Sequence, residues 1–88
     1  MKIKEGFVIR EVMGNHVVVA VGEASLRFRG MIKLNDTAAD IWNCILEGMD
    51  ENAICDALFD QYDVERSVLE ADVKKTLAEM AEHGFLEL

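Results

Sequence analysis

The sequence predicts an α+β fold, in which a three-stranded antiparallel sheet is followed by three helices. Up to residue 34, short apolar runs of strand character are separated by turn-forming residues. From residue 35 onward, apolar residues recur every three or four positions, which is the helical period. The chain has 88 residues, of which 51% are hydrophobic and none is proline. We therefore expect a single domain over residues 1–88.

Three segments of the N-terminal part predict the strands. Phe7–Val12 and His16–Val21 are rich in β-branched residues and flank a short link with two turn formers, which predicts a hairpin. Because the second run has no polar alternation, we expect both of its faces to be covered and the strand to lie inside the sheet. The alternation over Leu26–Leu34 predicts a third strand, with Gly30 in its middle at a bulge or a close backbone approach.

Apolar stripes with start and stop signals predict the helices. Their expected bounds are Asn35 or Asp36 to about Gly48, Asp50 to about Tyr62, and Val64 to His83. Asn35 or Asp36 is the expected N-cap of the first helix, and Gly84 is well placed to end the third. The last four residues are then free to return as a short strand or a packed tail.

Charge is divided unevenly along the chain. Residues 1–34 carry six basic and three acidic residues, a formal +3, whereas residues 35–88 carry three basic and fourteen acidic residues, a formal −11. Two interpretations fit this division: the acidic residues form ordinary solvated helix faces, or the N-terminal part offers a positive surface to an acidic partner while the body repels nucleic acid and anionic membranes. No run of residues has the length of a membrane span or the pattern of a signal peptide, so we expect a cytoplasmic protein.

No group of residues has the spacing of a catalytic or metal site. Cys44 and Cys55 lie on different predicted helices without a metal-site companion, which favours buried free thiols. His16 and His83 likewise lack a partner for acid–base chemistry. We expect a binding protein that is not an enzyme and uses no metal or cofactor.

The segment Gly30–Trp42 resembles the PqqD family, small peptide-recognition proteins of pathways that modify ribosomally made peptides. Further similar segments are the opening hairpin at Phe7–Val12, the third-helix pattern Asp72-Val73 with Leu77, and the closing Gly84–Leu86. Members from the pyrroloquinoline quinone pathway often carry a Tyr-Pro-Glu-Gly-like approach to the third strand, where this chain has Arg27–Gly30. We therefore expect a relative that serves a different modified peptide.

The resemblance implies a winged helix-turn-helix-like body that captures the leader segment of a precursor peptide. The leader adds as an extra strand along the third strand and rests in the groove between that strand and the third helix. Family members deliver the peptide to a modifying enzyme, commonly a radical S-adenosylmethionine enzyme, without performing chemistry. The expected partners are thus a leader peptide and such an enzyme, and an exposed edge strand also allows a homodimer.

Ten residues are candidates for leader contact. They are Arg27, Arg29, Met31, Ile32 and Lys33 on the strand, and Leu69, Val73, Lys75, Thr76 and Met80 on the third helix. Alternation does not tell which strand face looks into the groove, and Leu69, Val73 and Met80 equally suit a core. The three basic strand residues are expected either to contact acidic leader residues or to be solvated charges that discourage unwanted pairing at an edge strand.

The alternative function is that of a winged-helix DNA-binding regulator. Its reading helix would need a basic surface for the phosphates. The third predicted helix instead has three basic residues, Arg66, Lys74 and Lys75, against five acidic ones in and beside it. This balance argues against nucleic acid as a partner.

Overall fold

The computed structural model of the protein describes residues 1–28 and 30–87. Its strands are β1 (Lys2–Ile3), β2 (Phe7–Val12), β3 (Asn15–Ala20), β4 (Met31–Leu34) and β5 (Leu86–Glu87). Its helices are α1 (Asp36–Leu46), α2 (Glu51–Gln61) and α3 (Arg66–Glu82). The predicted fold class, a three-stranded antiparallel sheet with three helices, is confirmed.

The main sheet has the order β2-β3-β4, so the second strand lies inside the sheet as predicted. Val17 and Val18, which alternate to opposite faces of β3, are 7% and 0% exposed. β4 pairs with β3 along one side, and none of the other described strands pairs with its second side. β4 is therefore an edge strand.

The third strand is shorter than the sequence pattern predicted. Gly22–Leu26 forms a 3-10 helix, in which the hydroxyl of Ser25 donates to the carbonyl oxygen of Gly22 at 2.6 Å. The backbone N–H groups of Arg27 and Phe28 both donate to the carbonyl oxygen of Ala24, at 3.1 and 2.9 Å. These local bonds compete with strand pairing. β4 begins only after Gly30, which lies at a bend with a φ of 99° and has no described atom within 4 Å of the position that a Cβ would take. Neither the predicted mid-strand bulge nor a close backbone approach is therefore found at Gly30.

The chain termini form a second, two-stranded sheet. Lys2 of β1 pairs with Glu87 of β5, and Ile3 pairs with Leu86. The backbone N–H of Lys4 continues this contact by donating to the carbonyl oxygen of Phe85 at 2.7 Å. Of the two possibilities left open for the last residues, a short strand or a packed tail, the structure shows the short strand, whereas β1 was not predicted.

The three helices agree with their predicted bounds to within two residues. The side chain of Asn35 accepts a hydrogen bond from the backbone N–H of Ala38 at 2.8 Å, which makes Asn35 the N-cap of α1. Asp50 caps α2 in the same way through the N–H of Ala53. Within the described residues, no helix combines the length and the apolar character that crossing a membrane requires.

The core lies between the inner face of the sheet and the helices. Trp42 and Phe85 are fully buried, and Phe7 packs against Phe85 with 5.0 Å between ring centroids. An aromatic residue on a helix usually fills the core, but Phe59 of α2 does not: it is 43% exposed, and the guanidinium of Arg66 lies 5.6 Å from the centroid of its ring.

Both cysteines have free thiols, as predicted. Cys55 is buried in the core as predicted, but the prediction of a buried thiol is wrong for Cys44, which is half-buried. Burial raises the pKa of each thiol above its ordinary value; nearby Glu47 and Asp40 add to the increase at Cys44, whereas the charge of Arg66 opposes it at Cys55. Their environment therefore favours the thiol over the more reactive thiolate.

Candidate functional site

A groove runs between the free edge of β4 and helix α3. Its central part is a cavity of about 190 Å³. The residues that line it are Ile32, Lys33, Leu34, Asn35, Ala38, Thr76, Glu79, Met80, His83 and Phe85. Aliphatic and aromatic side chains predominate on the β4 side and the floor, while Thr76 and Glu79 of α3 and its C-cap His83 provide polar groups. The central cavity thus combines an apolar floor with a polar helix wall.

The groove continues toward the start of α1. A second cavity, of about 210 Å³, is lined by Asn35, Thr37, Asp72, Lys75, Thr76 and Glu79. It shares Asn35, Thr76 and Glu79 with the central cavity, so the two form one groove. From Asp72 to His83, α3 extends along it for roughly 16 Å at 1.5 Å per residue. That length matches about five residues of an extended peptide.

A third cavity, of about 360 Å³, lies at the opposite end of the groove and shares His83 with the central one. Its lining residues are Lys4, Glu5, Phe7, Glu23, Ala24, Arg27, Phe28, His83 and Gly84. Phe7 and Phe28 belong to the aromatic cluster around Phe85 and meet edge to face, 5.5 Å apart. This end of the groove therefore has aromatic walls with charges of both signs.

The structure shows which face of β4 looks into the groove. Ile32 and Leu34 are half-buried, pack against the core and line the central cavity. Met31 and Lys33 alternate with them and belong to the exposed outer face of the sheet. Lys33 also borders the central cavity, as expected for a residue whose backbone forms the edge. Inward residues of β4 are thus apolar, and outward ones are exposed.

Several predicted residues lie together along this groove. Ile32, Lys33, Thr76 and Met80 line the central cavity, and Lys75 lines the second. Met80 is only 2% exposed, so it contributes to the core as well as to the groove floor. Both interpretations of Met80 that the sequence left open therefore apply to it.

Other predicted residues lie elsewhere. Leu69 and Val73 are 3% and 0% exposed, belong to the core and, unlike Met80, line none of the three cavities of the groove. Arg27 is not on the strand but caps the 3-10 helix and lines the third cavity, because the local turn replaces the first part of the predicted strand. Met31 lies on β4 but faces outward, with 64% of its surface exposed. Arg29 lies outside the described residues.

Sequence reasoning missed much of the polar wall. The missed residues that line the central and second cavities are Leu34, Asn35, Thr37, Ala38, Asp72, Glu79, His83 and Phe85. Asp72, Thr76, Glu79 and His83 are spaced four, three and four residues apart, which places them in one row along a helix. This polar row, parallel to the apolar stripe, is the signal that could have revealed the groove.

The charges of α3 do not form a basic surface. Arg66 is held between two carboxylates, with 2.8 Å from its Nη2 to Asp56 Oδ1 and 3.0 Å from its Nε to Glu70 Oε2. These hydrogen bonds raise the pKa of Arg66. Since its charge is neutralised, only Lys74 and Lys75 remain on α3 to meet phosphates. The structure thus adds to the argument against DNA binding.

Comparisons with known proteins agree with this geometry. A family model described as "Coenzyme PQQ synthesis protein D (PqqD)" matches residues 15–86. TbiB1 in complex with the TbiA(beta) leader peptide has a similar structure, with a TM-score of 0.83 and 26% identity, and the match covers 99% of this chain and 95% of that one. A lasso peptide synthetase B1 complexed with the leader peptide has a TM-score of 0.78 and 24% identity, and the match covers 96% of this chain and 93% of that one.

No curated protein matches the sequence. The family match nevertheless spans most of the chain, from the start of β3 to β5, and includes β4 and the whole of α3. The protein therefore belongs to the PqqD family.

Proposed function

We propose that this protein binds the leader segment of a ribosomally made precursor peptide by strand addition at β4 and presents it to a modifying enzyme. The observation that carries the proposal is the free edge of β4 beside the groove of α3. An edge strand offers unpaired backbone N–H and C=O groups, and a groove beside it receives every second side chain of the added strand.

The groove dictates what the inward side chains of the leader meet. Ile32, Leu34 and Met80 form an apolar floor, so apolar leader residues at alternating positions would bury surface there. Thr76 and Lys75 contribute from the wall of α3. With about five residues paired, we expect binding near the micromolar range, about −8 kcal/mol.

Two solved relatives support this assignment. TbiB1, which matches this chain over nearly its full length, is seen with the TbiA(beta) leader peptide. The lasso peptide synthetase B1 is likewise complexed with a leader peptide. The same fold with an accessible edge strand makes a similar binding mode the natural proposal for this chain.

The enzyme that receives the bound peptide is proposed to be a radical S-adenosylmethionine enzyme, acting in the cytoplasm where the precursor is made. The protein itself holds the peptide and performs no chemistry. Self-pairing through β4 would give a homodimer and compete with the leader for the same edge. Sedimentation with and without leader peptide would detect this, because leader binding should then shift a dimer to monomers.

The proposal is tested by calorimetric titration with the synthetic leader half of a short precursor encoded near this protein, with a scrambled peptide as control. A second series carries a single backbone N-methyl group at each leader position in turn. Strand addition predicts a period of two, because only every second leader N–H points to β4. Methylation at those positions should abolish binding, whereas methylation between them should have little effect.

Strand addition would be contradicted if affinity varied smoothly with the position of the N-methyl group, or if the scrambled peptide bound equally well. A gel shift with random DNA tests the alternative function. Retardation of DNA at physiological salt would favour the regulator over the peptide-binding protein.

A further inference from the structure

The outer face of the sheet, opposite the core, has a distinct composition. Strand register places Val8, Val19 and Met31 side by side in one row across the three strands. The next row consists of Arg10, Val17 and Lys33. Met31 is 64% exposed, whereas Val17 is 7% exposed between the two basic residues that flank it. This surface, which we call the outer rows, is apolar and basic.

The outer rows and the groove differ in charge. Among the described strand residues, the outer face carries Arg10 and Lys33 and no carboxylate. The groove wall on the other side of β4 carries the carboxylates of Asp72 and Glu79 together with Lys75. A peptide strand added to β4 would therefore have a positive, apolar surface at one face and a partly acidic wall at the other.

We propose that Lys33, supported by Arg10 and Met31, selects leader peptides by two side chains on the outward face of the added strand. One of these side chains is a carboxylate, and the other, two residues away along the leader, is apolar. This inference rests on the proposed function and specifies its substrate. The occupant of the β4 edge is thus an acidic peptide segment whose inward positions are apolar.

The geometry of strand pairing places Lys33 next to this carboxylate. Residues directly opposite each other on paired strands have Cβ atoms about 5 Å apart on the same face, so an outward leader residue opposite Lys33 lies within reach of its ammonium group. Arg10 is two strands from Lys33 and therefore three strand spacings, roughly 14 Å, from a leader residue opposite Lys33. That distance exceeds the Debye length of about 10 Å at 0.1 M salt, so Arg10 adds a weak attraction that salt screens.

The charge difference also sets the register of the leader. A slip by one residue exchanges the two faces of a strand. The carboxylate would then face Glu79 across the groove, and the apolar residues would leave the floor at Ile32 and Leu34 for the surface. Both changes disfavour the slipped complex. The outer rows and the groove together therefore select the register in which the carboxylate faces outward and the apolar residues face the groove.

The same charges disfavour a second copy of this protein on the outer rows. If two sheets packed face to face, the basic residues Arg10 and Lys33 of both copies would come together without a carboxylate from either outer face. Like charges placed opposite each other are destabilising. An acidic peptide strand at the edge satisfies these charges, which is why we assign the surface to the leader.

The test uses a display library of short random peptides, selected on the full chain and on two charge-reversed variants. Lys33→Glu reverses the outer-row charge, and Lys74→Glu is the matched control on an exposed part of α3. Selection on the native chain should enrich peptides with alternating apolar residues and a carboxylate at one interleaved position. Lys33→Glu should enrich a basic residue at that same position, while Lys74→Glu should give the native pattern.

Binding constants of the enriched peptide then give the size of the effect. Changing its carboxylate to the amide should weaken binding to the native chain about fivefold at low salt. The same change should leave binding to Lys33→Glu unaltered or improve it. Raising the salt concentration should reduce the difference, because the pair is exposed.

The possible failures are distinguishable. Enriched peptides with alternating apolar residues but no charge preference, or with the same preference on Lys33→Glu, would overturn this inference and leave the proposed function standing. Absence of any enriched extended peptide would overturn both. Sedimentation of the native chain as a dimer that Lys33→Glu converts to monomers would assign the outer rows to a second copy and also overturn the inference.

Discussion

The two faces of α3 use the same helical period for different purposes. One face carries Leu69, Val73, Leu77 and Met80, all of which are buried in the core. The other carries Asp72, Thr76 and Glu79, followed in the same row by His83 at the C-cap, and all four line the groove beside β4. The faces are neighbours on one helix, yet one lies against the core and the other along an unpaired strand edge. What lies opposite a helix therefore determines whether its residues stabilise the fold or contact a partner.

This difference makes stability and peptide affinity separable by mutation. A buried residue that touches no cavity should affect only the free energy of unfolding. A groove residue with a partly exposed side chain should affect only the dissociation constant of the peptide. Met80 belongs to both sets, so it is unsuitable for separating them.

The largest expected effect is that of Leu69→Ala on the buried face. Loss of this side chain, which is 3% exposed, should lower the free energy of unfolding by about 3 kcal/mol through lost burial and a residual cavity. Urea denaturation measures the loss, with Ser67→Ala on the exposed start of α3 as the control. At a temperature where the variant remains folded, its affinity for the leader should equal that of the native chain. A matching loss of affinity would show that Leu69 belongs to the peptide-binding site.

The second effect is on affinity, through Thr76→Trp on the groove face. The larger ring should occupy part of the 190 Å³ central cavity and block the inward side chains of the peptide. We expect binding to weaken about thirtyfold, which corresponds to about 2 kcal/mol. Because the side chain can extend into the groove, the free energy of unfolding should change by less than about 0.5 kcal/mol.

Ser67→Trp provides the matched control for this variant, since it adds the same ring to α3 at an exposed position outside the groove. Fluorescence anisotropy with a labelled leader would measure both. Equal affinity of the two variants for the leader would show that the groove is not part of the binding site.

Much of the scaffold could be predicted from the sequence because its signals are local. The uninterrupted valines of β3 indicated a central strand, and Asn35 and Asp50 marked helix starts with their own side chains. β1 could not be predicted, because its two residues pair with β5 at the other end of the chain. Two-residue strands carry no periodic pattern, so only the folded structure reveals such pairs.

The candidate site was less predictable for a related reason. Alternation identified the residues of β4, but the choice of groove face depends on the position of α3. Arg27 satisfied the alternation and yet belongs to a turn, because hydrogen bonds to Ala24 stabilise a 3-10 helix there. Leu69 and Thr76 both lie on α3, and sequence spacing alone does not tell which of them the core covers.

A smaller effect is expected at Tyr62, on the scaffold side of the molecule. Its hydroxyl donates a hydrogen bond to a carboxylate oxygen of Asp40 and so joins the end of α2 to α1. Tyr62→Phe should lower the free energy of unfolding by about 1 kcal/mol at neutral pH, with no change in peptide affinity.

This loss should depend on pH. The hydrogen bond to Asp40, and secondly burial, raise the pKa of Tyr62 above its ordinary value near 10. The bond therefore stabilises the fold fully below pH 10, and its contribution decreases as pH rises through the higher pKa of the folded state. Urea denaturation of both proteins between neutral and alkaline pH should show their difference shrinking above pH 10. A constant difference would point to packing rather than the hydrogen bond.

The smallest effect concerns Arg66, a charge of α3 that serves neither the buried face nor the groove. It joins α3 to α2 through Asp56 and lies over the ring of Phe59. Arg66→Gln removes this exposed ion pair, so we expect a small decrease in melting temperature that fades as salt is added, since salt already weakens the pair in the native chain. Lys74→Gln, which removes an exposed charge of α3 with no ion pair recorded among the described residues, should leave the melting temperature nearly unchanged. If Arg66→Gln instead altered peptide affinity, the binding surface would extend to the start of α3, and the separation between its structural and recognition charges would be wrong.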